Sequence, residues 1–142
     1  MPKVKTVNGV EYLKVDKIKF TIPINPTTKK NSSQIVKRGN RHILIPSKKY
    51  IAYENEVLWT MKDTFNEYEM IDEKVNVKAI YYRATKHTVD LVNLHSALHD
   101  TLVKAGLLKD DNIKIIGSTD GSRVYYDKDN PRTEVEITKF IK

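Results

Sequence analysis

Leu91, Leu94, Leu98, Leu102 and Ala105 recur at i, i+3, i+7, i+11 and i+14, and Gly106 stands where a left-handed residue commonly ends a helix. This single apolar stripe must lie on a second layer, and the neighbouring segments indicate which kind. Val75 to Tyr82 before it, and Ile113 to Ile116, Arg123 to Tyr126 and Thr133 to Phe140 after it, are short and β-branched or aromatic, as strands are. Val10 to Val15 and Ile18 to Ile22 read as a β-hairpin or as two consecutive strands. Ser47 is a plausible N-cap for a second helix over about 47–67, with Ile51, Glu54, Val57, Leu58, Met61 and Phe65 at helical spacing. Asp120-Gly121 reads as the turn before a returning strand. The order β-β-α-β-α-β-β-β predicts an α+β fold, a mixed β-sheet covered by two main helices, as a single domain over residues 1–142.

Between the early strands and the first helix, Pro23 and Pro26 open a polar, loop-like segment running through Asn40, with Gly39-Asn40 as a turn. Charge collects there. Residues 1–50 hold 12 Lys/Arg against 2 Asp/Glu, whereas residues 51–142 hold 13 against 16. A basic front and a carboxylate-bearing back suit a nuclease, which must attract phosphates and hold metal ions; a solvated lysine surface would look similar. Lys29, Lys30, Lys37, Arg38, Arg41, Lys48 and Lys49 are the candidate phosphate-contacting residues. The chain lacks cysteine, which excludes disulfides, thiolate metal sites and cysteine nucleophiles, and it has no apolar run near the ~20 residues of a membrane span. The expected compartment is a reducing cytoplasm.

Asp90, Asp100, Asp110 and Asp111 flank the striped helix within 22 residues. Carboxylates at element ends in a basic protein suit a hard divalent cation such as Mg²⁺. The same residues suit structural tasks: Asp90 a helix cap, Asp100 a solvated helix position, Asp110-Asp111 a turn. His95 and His99 are four apart, but no glutamate follows His95 and no third ligand is evident, so they read as residues at the edge of the stripe. Ser96 lacks the frame of a serine nucleophile.

The run from Asp90 through Asn93-Leu94, Ala97, Asp100, Leu102 and Gly106 to Asp110-Asp111 resembles the core motif of RusA-type Holliday junction resolvases. Phe20-Thr-Ile-Pro23-Ile-Asn-Pro26 resembles the opening of that family, and Asn130-Pro131-Arg132 its close, so the likeness covers most of the chain in order. It implies a RusA-like fold and a homodimer. It further implies an endodeoxyribonuclease that cuts four-way DNA junctions with Mg²⁺ through Asp90, Asp110 and Asp111. Asn93 would orient a carboxylate or the attacking water. Two positions depart from the motif: Val92 stands where the family has a second aspartate, and Ser96 where it often has lysine. Asp120 and Asp100 are the nearest acids that could substitute, and Lys86, Lys109 or Lys114 would have to supply the positive charge.

Geometry constrains the site. Leu91 to Ala105 as a straight helix carries the chain about 22 Å from Asp90. The five steps from Gly106 to Asp111 reach back at most about 17 Å. Asp90 and Asp111 therefore share a metal only if the helix frays or tilts; otherwise they line one wide cleft, or a partner subunit completes the site. A junction-binding protein that cleaves nothing would have the same basic front and fold, and a protein-interaction adaptor would show no preference for DNA structure.

Overall fold

The computed structural model describes residues 4–7, 10–13, 17–28, 34–45 and 47–141. Along the chain β1 (Val4–Val7) and β2 (Val10–Leu13) pair with one another, β3 (Lys17–Ile22) enters the main sheet, and β4 (Gln34–Arg38) and β5 (Arg41–Ile45) form a second antiparallel ribbon. Helices α1 (Lys48–Thr60) and α2 (Lys62–Asn66) precede β6 (Val75–Arg83). Then follow α3 (Leu91–Lys104), β7 (Ile116–Ser118), β8 (Arg123–Tyr126) and β9 (Arg132–Lys139). The main sheet runs β3-β9-β6-β7, with β8 also on β6; the β3–β9 and β6–β9 pairs are antiparallel, the pairs of β6 with β7 and β8 parallel. The fold is the expected α+β arrangement with a mixed sheet. The parallel β6–β7 pair requires a crossover, and α3 supplies it.

Alternation sets the core. Ile18, Phe20 and Ile22 on β3, Thr133, Val135 and Ile137 on β9, and Val75, Val77, Ala79 and Tyr81 on β6 all turn to one face and are buried. The stripe of α3 buries Leu94, Ala97, Leu98 and Leu102 in the same core. Asp90 caps its start, with Oδ1 accepting from the Val92 N–H at 2.9 Å. Gly106, at φ +79°, closes its end. There the Leu107 N–H reaches the Leu102 carbonyl at 3.1 Å and the Gly106 N–H the Val103 carbonyl at 3.0 Å, which satisfies the last carbonyls of the helix.

Several expectations are corrected. The helix expected over 47–67 is broken at Met61 (φ −97°, ψ 6°), and the break delivers Phe65 edge-on to Phe20 at 5.2 Å. Its buried stripe is Tyr50, Tyr53, Glu54 and Val57, while Ile51 is exposed, because the two tyrosines bring more apolar surface to the core. Of the two readings of residues 10–22, consecutive strands holds, since β2 pairs with β1 and β3 with β9. The basic loop contains a ribbon, with Gly39 (φ +61°) and Asn40 as its turn. The strand expected from Ile113 starts at Ile116, because the Asn112 carbonyl takes both the Ile115 and Ile116 N–H groups and its side chain takes that of Lys114. β8 does not return: it continues beside β6 in the same direction as β7. The turn at Asp120-Gly121 steps out from β6 while side chains stand in for the ladder. Asn76 Oδ1 accepts from Ser118 and from the Asp120 N–H, and Ser122 Oγ accepts from the Ala79 N–H at 3.1 Å.

Candidate active site

Asp90 is exposed at the first turn of α3, and Asn93 stands partly buried one turn on. Asp100 lies ten residues beyond Asp90 along the helix, a rise of about 15 Å. The chain leaving Gly106 is pinned by exchange between Ile71 and Leu107–Lys109, with N···O distances of 2.8 and 3.0 Å. It then turns at Asp110-Asp111, where Asp110 Oδ1 accepts from the Asp111 N–H at 2.7 Å. This return brings Asp111 against Asp100, not Asp90. Burial, then hydrogen bonding with the carboxyl groups of Asp100 and Asp110, raises the Asp111 pKa above its ordinary value.

Asp100 and Asp111 line a cavity of about 600 Å³ with Tyr50, Glu54, Val103 and Lys104. Glu54 is buried and fully engaged: the Tyr50 hydroxyl donates to Oε2 at 2.8 Å and Lys104 Nζ to Oε1 at 2.6 Å. Burial, foremost, pushes the Tyr50 phenol well up, so it stays a donor. Tyr50, Glu54 and Lys104 escape a reading built on the aspartate motif. The signal was present in Glu54, a carboxylate at an inward-facing helical position.

The other sequence-derived candidates are dispersed. Asp120 is exposed on the turn between β7 and β8, its backbone held by Asn76. Lys37, Arg38 and Arg41 are exposed on the β4–β5 ribbon, with Arg38 opposite Arg41 and Lys37 opposite His42. Lys48 and Lys49 are exposed in the first turn of α1, where Ser47 Oγ accepts from the Tyr50 N–H at 3.1 Å. Lys29 and Lys30 lie outside the described residues. Among the described residues no three His, Asp or Glu side chains converge to hold a metal ion. Two do meet: Asp100 and Asp111 form a carboxylate pair of the kind that suits a hard cation taking one or two carboxylates, with water and phosphate as its other ligands.

His95 and His99 stack in parallel at 5.3 Å, and the Tyr81 hydroxyl and His95 Nδ1 share a hydrogen bond of 2.7 Å. Burial lowers the pKa of both rings, that of His99 to about 4, with His95 as a second cause for His99. They are neutral packing residues at the edge of the α3 stripe, as their spacing suggested.

The sequence profile of the family Endodeoxyribonuclease RusA matches residues 23–138. The chain belongs to the RusA endodeoxyribonuclease family. The match takes in the proline segment from Pro23 to Pro26, all of α3 with its flanking aspartates, and nearly all of β9. No curated protein matches the chain. Within this RusA-family chain, no helix among the described residues is long and apolar enough to cross a membrane.

Proposed function

We propose that this RusA-family chain is a structure-selective endodeoxyribonuclease that resolves four-way DNA junctions by Mg²⁺-dependent hydrolysis, acting as a homodimer. The observation that carries the reading is the family match over residues 23–138, which spans both aspartate positions and α3 between them. The charge distribution supports it. Arg38 and Arg41 stand opposite one another, a like-charge pairing that costs stability until a polyanion lies across it. With Lys37, Lys48 and Lys49, and with Lys29 and Lys30 from outside the described residues, they would contact phosphates and orient the junction without reading its sequence.

Asp111 with Asp100, assisted by Asp110, would hold Mg²⁺, with Asp90 and Asp120 as further acids of the site. When bound, the cation supplies Lewis acidity to a phosphate oxygen and to a water. At the other end of α3, Asp90 would orient the water by accepting its proton in a hydrogen bond, and Asn93 the water or the scissile phosphate by donating from its amide. Water attack on phosphorus in line with the departing 3′ oxygen leaves a 5′-phosphate and a 3′-hydroxyl. Lys109 or Lys114, beside Asp110 and Asp111 in the chain, would offset charge that develops on the phosphate, a task that falls to them because position 96 is serine. About 15 Å of helix separates Asp90 from Asp100, which Asp111 adjoins, so the partner protomer's copy would complete each site.

The test is cleavage of a labelled four-way junction with Mg²⁺ against EDTA, beside binding to that junction and to a matching linear duplex as salt rises. The expected result is paired nicks only with Mg²⁺, tighter binding of the junction, and affinity that falls steeply with salt. Binding without cleavage would make the chain a junction-binding protein, and equal affinity for both DNAs would overturn junction recognition.

A further inference from the structure

One row of side chains crosses three strands on the sheet face turned away from the helices. Arg132 of β9 is opposite Tyr82 of β6, which is opposite Tyr125 of β8. The Arg132 guanidinium lies 3.7 Å from the centroid of the Tyr82 ring, and Tyr82 stacks on Tyr125 at 5.5 Å with 30° between the planes. Arg132 is anchored by Asp127 and Glu134, each at 3.0 Å. The stack is therefore fixed at its inner end, while Tyr125 at its outer end is 50% exposed. β8 has no strand on its outer side among the described residues. The next residue, Tyr126, is 45% exposed and carries Lys86 Nζ over its ring at 4.9 Å. Both tyrosines border a cavity of about 380 Å³ whose opposite wall is the segment from Thr85 to Val89 that leads into Asp90.

We propose that Tyr125 forms a platform for an unpaired DNA base, with Lys86, held over Tyr126 on the other side of the edge strand β8, taking the phosphate beside it. The proposal rests on the junction-nuclease reading and adds a contact that neither the aspartate motif nor the basic ribbon supplies. A partner for this surface must present a flat ring to Tyr125 and a negative charge to Lys86, and a nucleotide does both. No base-edge reader sits in the stack, so recognition tolerates any sequence, as stacking platforms do. A branch point is where a base leaves its stack at least cost, and the segment that carries Lys86 leads into the first turn of α3, where Asp90 would act on the backbone.

The test uses the full chain, with Tyr125→Leu, Tyr125→Phe, Tyr126→Leu and Lys86→Gln, binding oligo-dT, linear duplex, and a four-way junction with an unpaired thymine at its branch. Tyr125→Leu is expected to weaken oligo-dT and the unpaired-thymine junction about five- to hundredfold, to leave the duplex unchanged, and to be rescued by Tyr125→Phe. Lys86→Gln is expected to reduce the salt dependence of oligo-dT binding, and Tyr126→Leu, which removes the ring under Lys86, to act in the same direction as Lys86→Gln. Unchanged oligo-dT binding in Tyr125→Leu, an equal loss on all three DNAs, or a change of oligomeric state in place of a binding change would overturn the platform. The oligo-dT arm decides the platform alone, whereas failure of the parent protein to prefer junction over duplex counts against the junction reading.

Discussion

The first turn of α3 and the body of the same helix handle carboxylates in opposite ways. At the first turn Asp90 is exposed and bonded to the Val92 N–H of its own helix, so its charge rests where a helix start favours a negative group. In the body, Asp100 meets Asp111 beside the buried Glu54, and burial together with like charge raises the Asp111 pKa. Residue type and motif are shared; the neighbours differ. A helix also acts as a ruler, and its rigid rise keeps the two kinds of carboxylate about 15 Å apart. Asp90 and Asp100, ten residues apart on such a ruler, do not close on one ion, so under the proposed function bridging would fall to substrate or to a second copy.

Asp90→Asn and Asp111→Asn test that separation with the largest expected effect. Asparagine caps a helix as well as aspartate does, and at 111 it removes a repulsion, so neither change should lower stability by more than a few tenths of a kcal/mol. Each should slow junction cleavage about 10²-fold or more, while affinity stays level or rises. Mixing the two variants then separates the possible architectures. If each site takes Asp90 from one protomer and Asp111 from the other, a mixed dimer holds one site with both acids intact. Random exchange of a homodimer would then restore about a quarter of the parent's sites. No recovery in nicking assays of the mixture would mean that both acids serve one site from one chain.

The burial of the helix body has its own signature in acid. The His99 pKa is lowered to about 4, so the ring stays neutral in the folded chain at pH values where the unfolded chain, near 6.5, takes up a proton. Its contribution is fully present above about pH 6.5 and is lost as pH falls towards 4; His95, also lowered, adds to the same limb. Each ring can remove at most about 1.4 kcal/mol per pH unit. Urea unfolding from pH 7 to 4 should show the decline, and His99→Gln should flatten it. An unaltered slope would mean that His99 is solvated and that the helix body is more open than its packing indicates.

Much of this was legible in the sequence, for local reasons. The leucine stripe, the Asp90 cap and the Gly106 stop are written within about 17 residues and depend on the helix period alone. The strands of the main sheet other than β7 were legible as segments but not as partners. That β8 runs parallel to β6, and that β3 belongs to β9, depends on long-range pairing that alternation does not encode. The site divided in the same way. Helical arithmetic let Asp90 and Asp111 share an ion only if the helix frayed or tilted, with a wide cleft or a partner subunit as the other outcomes; that Asp111 meets Asp100 depended on the course of the chain after Gly106. Tyr50 and Lys104 were invisible because their role is to satisfy Glu54, Tyr50 from one turn back on α1 and Lys104 across the contact with α3. The aromatic stack of Tyr82 and Tyr125 appeared only once three strands were in register.

The smallest expected effect belongs to Val92→Asp, which returns to the first turn the acid that the family motif carries there. Val92 is 66% exposed and donates only its backbone N–H to Asp90, so the side chain can change without disturbing the cap. An acid in the first helical turn gains from the helix dipole and loses by repulsion from Asp90, which leaves a stability change within about 0.5 kcal/mol. Its effect on cleavage measures how complete the site is without it. Because Asp100 already stands against Asp111, the added acid should raise the cleavage rate by less than about tenfold, or about 1.4 kcal/mol of barrier. A gain of a hundredfold would show that the first turn, as it stands, lacks a working ligand and that the Asp100–Asp111 pair does not replace it. A loss would show the reverse: that the first turn is built around an apolar residue, and that the acid of the helix body has taken over the task for which the motif used position 92.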